Sequence, residues 1–236
     1  ELIMLDTQSI LVAGASRGVG REIVKILTSQ GNSVIALLRT ADTRLELENL
    51  GAKVIIGDAL NYIDIQTAFG FAISESVATH APISAIISTI GGTSQDGIRT
   101  DYLGNKHLID AAKHADIQRF ILVSSLGAGE TKDAIPTQVY QSLAAIIAEK
   151  ERAENHLIVS GLTYTIIRPG GLKSLPATGN GVLTTATNVA GSIHRADVAR
   201  LVCKCLIGTN ANNQVLSAFD RQMAYGNVEY PEFLLD

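Results

Sequence analysis

Short runs of aliphatic residues alternate with amphipathic segments along most of this chain. The runs are rich in Val and Ile and have the length of β-strands, whereas the segments between them repeat their apolar positions at helical spacing. Strict alternation of strands and helices implies right-handed crossovers, so we predict an α/β fold with a doubly wound parallel sheet of about seven strands. The predicted strands are 10–13, 33–38, 53–57, 84–90, 119–124, 163–168 and 214–217, and the predicted helices are 18–30, 44–50, 61–78, 98–114, 137–160 and 195–207.

The composition fits a sheet that is covered on both faces. The 236 residues are 46% hydrophobic but only 5% aromatic, with no Trp, and such an aliphatic interior suits a buried parallel sheet. This length suits one domain, 1–236. Residues 170–192 are rich in Gly, Thr, Ser and Ala and lack strong periodicity. We expect them, together with the tail 218–236, to form a small C-terminal cover on the substrate side.

Charge and hydropathy narrow the class of partner. A net charge of −4 without any run of Lys or Arg argues against nucleic acid, and no apolar stretch approaches the roughly 18 residues that span a membrane. The first strand begins near Ser9, which leaves no room for a signal peptide, so we expect a cytoplasmic protein, or a stromal one if a transit peptide has been removed. No long apolar helix face is left over, and we expect a monomer.

Cysteine and histidine usage indicates no metal site. Cys203 and Cys205 lie two residues apart on a predicted helix and point to different faces, which fits reduced thiols. The histidines are scattered without ligand spacing. His194 and Asp197 precede a helix, where Asp197 is better explained as a capping residue than as a catalytic one.

A glycine-rich turn, Gly14-Ala-Ser-Arg-Gly-Val-Gly20, follows the first predicted strand and opens the first helix. Glycines let the backbone turn sharply and approach a pyrophosphate, and the helix N-terminus offers N–H groups to phosphates. A loop that serves packing only is the alternative, but the place of this turn between an apolar strand and an amphipathic helix favours dinucleotide binding. Its G-x-x-x-G-x-G spacing resembles that of short-chain dehydrogenases/reductases, which have a Rossmann-like fold. The predicted cofactor contacts here are Gly14, Ser16, Arg17, Gly18 and Val19.

The end of the second predicted strand decides between NAD and NADP. NAD enzymes usually carry Asp or Glu there to bind the ribose 2′-hydroxyl. This chain has Arg39 and Arg44 instead, with Arg17 in the glycine turn. Guanidinium groups suit a 2′-phosphate, so we predict NADP(H). The alternative is that Arg39 and Arg44 are solvated charges at a helix entry.

Further cofactor contacts follow from the resemblance. It implies that Asp58 lies beside the adenine, that the small residues near Gly91 approach the nicotinamide ribose, and that a Pro-Gly turn after the sixth strand lies beside the nicotinamide amide. The alternative for Gly91 and Gly92 is a simple turn. The contacts expected on this basis are Asp58, Ala59, Thr89, Ile90, Gly91, Ser124, Lys150, Pro169, Gly170, Gly171 and Leu172.

Ser125 and Lys150 are the candidate catalytic residues. Ser125 ends the fifth strand, where the family has its active-site serine and where a hydroxyl can bind a substrate carbonyl; simple capping of the strand end is the alternative. Lys150 would hold the ribose, unless it is an exposed lysine paired with Glu154. The Tyr-x-x-x-Lys pair of the family is missing, because Ile146 lies four residues before Lys150. The usual alcohol dehydrogenase mechanism is therefore not expected.

Nearly the whole chain resembles the atypical branch of this superfamily, through the runs 150–154 and 160–172. Within that branch it is most similar to the biliverdin reductase B, or NADPH flavin reductase, group, as shown by Arg39 with Arg44, by Asp58 and by Ser125. The glycine turn departs from the spacing common in that group, and a histidine that lines the group's pocket aligns with Gly171 here.

The resemblance implies an NADPH-dependent oxidoreductase that transfers hydride to a small, planar acceptor. A flavin (FMN or FAD as substrate) or a linear tetrapyrrole such as biliverdin needs orientation and an apolar slot from the protein, rather than the missing tyrosine. Residues 170–192 are expected to line that slot, with a plain flexible loop as the alternative. Two alternatives stay open: a non-catalytic NADP(H)-binding sensor or scaffold, and a reductase of an isoflavone-like or quinone acceptor.

Overall fold

Eight strands form the main sheet of the computed structural model, which describes residues 8–94 and 96–236. In spatial order they are β3-β2-β1-β4-β5-β6-β10-β8, and every neighbouring pair is parallel except β10 with β8. A separate parallel pair joins β7 and β9. The strands are β1 (Ser9–Ala13), β2 (Ser33–Leu38), β3 (Lys53–Ile56), β4 (Ile83–Ser88), β5 (Arg119–Val123), β6 (Thr163–Pro169), β7 (Gly171–Lys173), β8 (Gly181–Thr184), β9 (Ser192–His194) and β10 (Gln214–Asp220).

Helices cover both faces of this sheet, which confirms the predicted α/β class. Alternate residues of β1 enter two different cores: Ile10 and Val12 pack with α1 and α6, whereas Leu11 and Ala13 pack with α3 and α4. The two-residue period of a strand explains why the sequence reads as a continuous apolar run. The helices are α1 (Gly18–Ser29), α2 (Arg44–Asn49), α3 (Tyr62–Ala78), α4 (Leu103–His114), α5 (Thr137–Ile158) and α6 (Arg195–Ile207).

The predicted helix 98–114 begins later than its pattern indicates, at Leu103. The residues before it form a turn that folds back on the end of β4: the Thr100 N–H donates to the Gly92 carbonyl at 2.9 Å, and Thr93 pairs with Arg99. Apolar spacing alone could not reveal this turn, because its hydrogen bonds join residues on either side of a loop.

Residues 170–192 are more regular than their composition predicts, because they contain β7, β8 and the start of β9. β8 extends the main sheet, so this part of the predicted cover is a sheet edge; likewise residues 218–220 belong to β10. Close backbone packing explains the glycines, since a Cβ atom on Gly170 would lie 2.0 Å from the Gly191 carbonyl oxygen. A role of the remaining residues in covering a substrate stays a prediction.

Cys203 and Cys205 are free thiols buried in α6, and burial raises the pKa of each to about 12. Within the described residues, no cluster of His, Cys, Asp and Glu could hold a metal ion. None of the described helices combines the length and the apolar character needed to cross a bilayer.

Candidate functional site

A cleft of about 1070 Å³ opens at the carboxyl ends of β1, β2, β4, β5 and β6. This is the edge at which open α/β sheets bind ligands. Nearly all the predicted site residues line it: Gly14, Ser16, Arg17, Gly18, Val19, Arg39, Asp58, Ala59, Thr89, Ile90, Gly91, Ser124, Ser125, Lys150, Pro169, Gly170, Gly171 and Leu172. Arg44 does not appear in this lining.

The glycine turn lies between β1 and α1 and is packed against the end of β4. Gly14 has a φ of +83°, and a Cβ atom on it would lie 2.6 Å from Thr89 Oγ1. A Cβ atom on Gly20 would lie 2.3 Å from the Gly14 carbonyl oxygen. Only glycine fits these two positions, and the tight turn brings Gly18 and Val19, at the N-terminus of α1, to the cleft wall.

Two arginines border the cleft beyond this turn without an acidic partner. Arg17 and Arg39 are exposed, and no described carboxylate lies within 4.0 Å of either guanidinium. Asp42 also borders this corner, where its carboxylate accepts a hydrogen bond of 2.8 Å from Thr40. Unpaired guanidinium groups are free to bind an anionic ligand.

Arg44 is the one predicted contact that carries an ion pair outside the cleft lining. Its Nε atom lies 2.8 Å from Glu48 Oε1, one turn further along α2. This pair is exposed, and the role of Arg44 as a cofactor contact stays a prediction. Arg21, which the sequence did not single out, does line the cleft; it is paired with Glu46 at 3.1 Å and donates to the Ser16 carbonyl.

Lys150 extends from α5 towards the end of β4, where it meets a carboxylate that sequence reasoning missed. Its Nζ atom lies 3.3 Å from Asp101 Oδ1, and the Asp101 side chain is only 1% exposed. The other carboxylate oxygen accepts a 3.0 Å hydrogen bond from the Gly92 N–H. A Cβ atom on Gly91 would lie 2.7 Å from Asp101 Oδ1, so Gly91 leaves the space that this carboxylate occupies.

Asp101 Oδ1 has no hydrogen-bond partner of good geometry among the described residues, although it is buried. Asp101 does not line the cleft, so its carboxylate faces the Lys150 ammonium from the protein interior. No sequence motif predicts this contact, because the two residues are far apart in the chain: Asp101 lies in the turn before α4 and Lys150 lies in α5.

The two serines at the tip of β5 have different surroundings. The Ser125 hydroxyl, half-buried at the cleft, donates to the Leu126 carbonyl at 3.0 Å. The Ser124 hydroxyl donates to the buried Glu154 carboxylate. Ser124 also lines the cleft, but its hydroxyl is bound to Glu154 in the protein interior.

Glu154 is the partner of Arg168 rather than of Lys150. Arg168 Nη2 lies 2.6 Å from Glu154 Oε2, and both side chains are almost completely buried. Burial alone would lower the pKa of Arg168, but the hydrogen bond and charge of Glu154 outweigh it and raise this pKa. The alternative in which Lys150 pairs with Glu154 is therefore wrong.

Beyond Ser125 the cleft wall becomes apolar. Val139 and Leu143, on the first turns of α5, are 43% and 36% exposed and line the cleft. The other apolar residues of this wall are Leu126, Ile135, Pro136 and Leu172. Exposed aliphatic side chains gathered around one opening are typical of a site that binds an apolar ligand.

Four further residues of the lining were not singled out in the sequence, although two of them lie in the predicted cover. Gly191, just before β9, and Tyr225, in the tail, belong to that cover, whereas Arg195 begins α6 and Thr100 lies in the turn before α4. Chain segments far apart in sequence carry them, and none belongs to a recognisable motif.

The comparisons with known proteins agree with this geometry. A protein family described as NAD(P)H-binding matches residues 14–208. The chain belongs to this family. Its place among the atypical short-chain dehydrogenases/reductases confirms the resemblance predicted from the motifs.

Relatives of this NAD(P)H-binding family member include proteins of known structure. ChuY, an anaerobilin reductase from Escherichia coli O157:H7, is 32% identical, with a TM-score of 0.79 over 93% of this chain and 100% of ChuY. YhfK of Bacillus subtilis strain 168, named as an uncharacterized sugar epimerase, is 31% identical over 89% of this chain and 92% of its own. An uncharacterized chloroplastic protein of Arabidopsis thaliana is 30% identical over 93% of this chain and 79% of its own.

The residues present fit the dinucleotide that this family binds. A cleft of about 1070 Å³ exceeds the size of most small-ligand pockets, which suits a dinucleotide together with a second molecule. The glycine turn, the unpaired Arg17 and Arg39, and Lys150 supply groups for pyrophosphate, phosphate and hydroxyl.

Proposed function

We propose that this protein is an NADPH-dependent reductase whose acceptor is a linear tetrapyrrole. The observation that carries the proposal is the continuity of the cleft: a polar half suited to a dinucleotide runs into an apolar half between α5 and the segment after β6. ChuY supports this choice, since it is named for reduction of anaerobilin, a molecule of the same chemical class.

The polar half selects and holds the cofactor. The N–H groups at the start of α1 bind the pyrophosphate, and Arg17 with Arg39 binds the 2′-phosphate that distinguishes NADPH from NADH. Lys150, oriented by Asp101, donates to the nicotinamide ribose. Bound NADPH supplies a hydride from its nicotinamide ring.

The apolar half places the acceptor. Val139, Leu143 and Leu172 offer an aliphatic surface to a conjugated planar molecule, and burying that surface aligns the molecule and excludes water. Ser125 stands at the junction of the two halves, where its hydroxyl can exchange the Leu126 carbonyl for a polar group of the acceptor. Flavins are planar too, and they serve as the comparison acceptor in the test.

The first test measures NADPH oxidation by the full chain with biliverdin and, separately, with FMN. We expect turnover with biliverdin, and a Val139→Glu variant should lower kcat/KM for biliverdin about tenfold or more, as expected when an apolar contact of about 1.5–3 kcal/mol is lost. The Kd for NADPH should not change, because Val139 lies on the acceptor side.

Val159→Glu is the matched control, since this valine follows the far end of α5 and is outside the cleft lining. If the protein oxidises NADPH with FMN but not with biliverdin, its acceptor is a flavin and the tetrapyrrole proposal is wrong. NADPH binding without turnover of any acceptor would favour the non-catalytic sensor, which the missing Tyr-x-x-x-Lys pair also suggests. A monomeric state and a cytoplasmic or stromal location remain predictions.

A further inference from the structure

Three segments of the chain meet just beyond β6 and bring two hydroxyl groups together. The Gly171 N–H donates to the Gly191 carbonyl at 3.0 Å, and the Tyr225 N–H donates to the Ala190 carbonyl at 2.8 Å. This backbone pairing places the Tyr225 hydroxyl 2.9 Å from Ser192 Oγ. The pair therefore results from tertiary packing and not from any local motif.

Gly171 keeps this hydroxyl pair open to the cleft. A Cβ atom at position 171 would lie 3.1 Å from Ser192 Oγ and 3.2 Å from Tyr225 Oη. Any larger side chain would crowd both oxygens. Tyr225 and Gly171 both line the cleft, whereas Ser192 lies behind them with 8% exposure.

The pair belongs to the same end of the cleft as Ser125. The Leu126 N–H donates to the Pro169 carbonyl at 3.0 Å, and a Cβ atom on Gly170 would lie 3.4 Å from the Leu126 side chain. A continuous series of contacts therefore links Ser125 and Leu126 to the segment 169–171, and that segment to Tyr225. The arginines of the polar half come from β2 and the glycine turn instead.

We propose that Tyr225, supported by Ser192, is the residue that gives a proton to the acceptor, a proposal that rests on the proposed reductase function. In the proposed reductase Ser125 orients the acceptor and Lys150 holds the ribose, which leaves the Tyr225 hydroxyl in the cleft wall for the proton. When Ser192 donates to Tyr225 Oη, the phenol proton is free to point at a ligand in the cleft.

The step balances in atoms and charge. The tetrapyrrole would gain at a methine carbon the hydride that bound NADPH would supply, and the Tyr225 Oη–H bond would break as its proton moves to a pyrrole nitrogen. A phenol O–H that faces the ligand can serve as a general acid. The Ser192 hydroxyl stabilises the phenolate, and water reprotonates it, since Tyr225 is 48% exposed.

The test compares Tyr225→Phe with Tyr230→Phe, the same change in the same tail. Tyr230 packs edge-on against Phe219 at 4.8 Å between centroids and is outside the cleft lining, so it is a matched control. We expect Tyr225→Phe to lower kcat with biliverdin about 100-fold, the low end of general acid catalysis, with an unchanged Kd for NADPH. Tyr230→Phe should keep the wild-type kcat.

Ser192→Ala provides a second variant, in which kcat should fall about tenfold because a hydrogen bond to a charged oxygen is lost. Wild-type kcat in Tyr225→Phe would overturn the proposal. So would an equal loss of NADPH affinity, which would indicate a structural role.

Failure of the reductase function has a separate signature, namely wild-type protein that reduces no tetrapyrrole. In that case the hydrogen bond between Tyr225 and the acceptor is tested without turnover, in the complex with bound biliverdin. The absorption spectrum of biliverdin bound to wild type should differ from that of biliverdin bound to Tyr225→Phe. Identical bound spectra would refute a contact between Tyr225 and the acceptor.

Discussion

At the scale of single residues, ion pairing separates arginines that look equivalent in sequence. Arg39 and Arg44 both follow β2, yet Arg44 is bound to Glu48 at 2.8 Å whereas Arg39 borders the cleft without a carboxylate partner among the described residues. A guanidinium must be free of a competing carboxylate to bind phosphate in a bidentate manner. Arg39, and not Arg44, is therefore expected to read the 2′-phosphate.

Replacing Arg39 by Ala should weaken NADPH binding about tenfold to 100-fold while leaving NADH binding unchanged, because a charge-assisted contact to phosphate is worth about 1.5–3 kcal/mol. Fluorescence titration with each nucleotide measures the effect. Arg44→Ala is the control and should preserve the wild-type preference. Equal losses in the two variants would contradict the distinction between them.

At the scale of elements, α5 joins the cleft to the interior. Lys150 and Glu154 lie one turn apart on it, a separation of about 6 Å along the axis. Glu154 is held by Arg168 at the end of β6 and by Ser124 at the tip of β5. This buried network fixes the depth and rotation of the helix, and with them the position of Lys150.

Glu154→Ala should lower the free energy of unfolding by about 3–5 kcal/mol, because it leaves the buried Arg168 guanidinium without its main partner. Urea denaturation measures the change. Glu149→Ala, on the same helix, breaks only the exposed pair with Arg152 and should cost about 1 kcal/mol or less. Similar costs for the two substitutions would show that the buried pair does not hold α5 in place.

At the scale of the whole molecule, two aliphatic cores on opposite faces of the sheet stabilise the fold. The core between α1 and α6 contains both cysteines. A buried thiol keeps its proton at high pH, since the thiolate would be desolvated, and the pKa of each thiol is accordingly about 12. In the unfolded chain the pKa of a thiol is about 8.5.

This difference predicts a loss of stability in alkaline solution. At least one pH unit below about 8.5 the thiols are protonated in both states and contribute almost no pH dependence. Above that pH the unfolded chain releases thiol protons while the folded one retains them, so stability falls as the pH rises towards 12. Urea denaturation between pH 8 and pH 11 should show a steeper fall for wild type than for Cys203→Ala/Cys205→Ala. Equal slopes would contradict the assignment.

Local patterns were sufficient for much of this molecule. Strand and helix periods predicted the parallel sheet, because the central strands β1, β4, β5 and β6 are largely buried and the helices present apolar sides to them, whereas the edge strand β3 is partly exposed. The glycine turn identified the phosphate end of the cleft, since its conformation depends on residues within a few positions of one another. Lys150 was found from the same kind of short-range reading.

The tertiary structure alone decided the remaining features, and the reason is distance along the chain. Asp101, before α4, pairs with Lys150 on α5, and the Tyr225 hydroxyl lies within hydrogen-bond distance of Ser192. The ion pair of Arg44 with Glu48 lies outside the cleft lining. The edge strand β8 also depends on a partner that lies beyond it in sequence. By itself the sequence determined the layered sheet and the dinucleotide turn, whose causes are local periodicity and backbone sterics. Which polar groups face one another in the cleft depended on the packing of segments far apart in the chain.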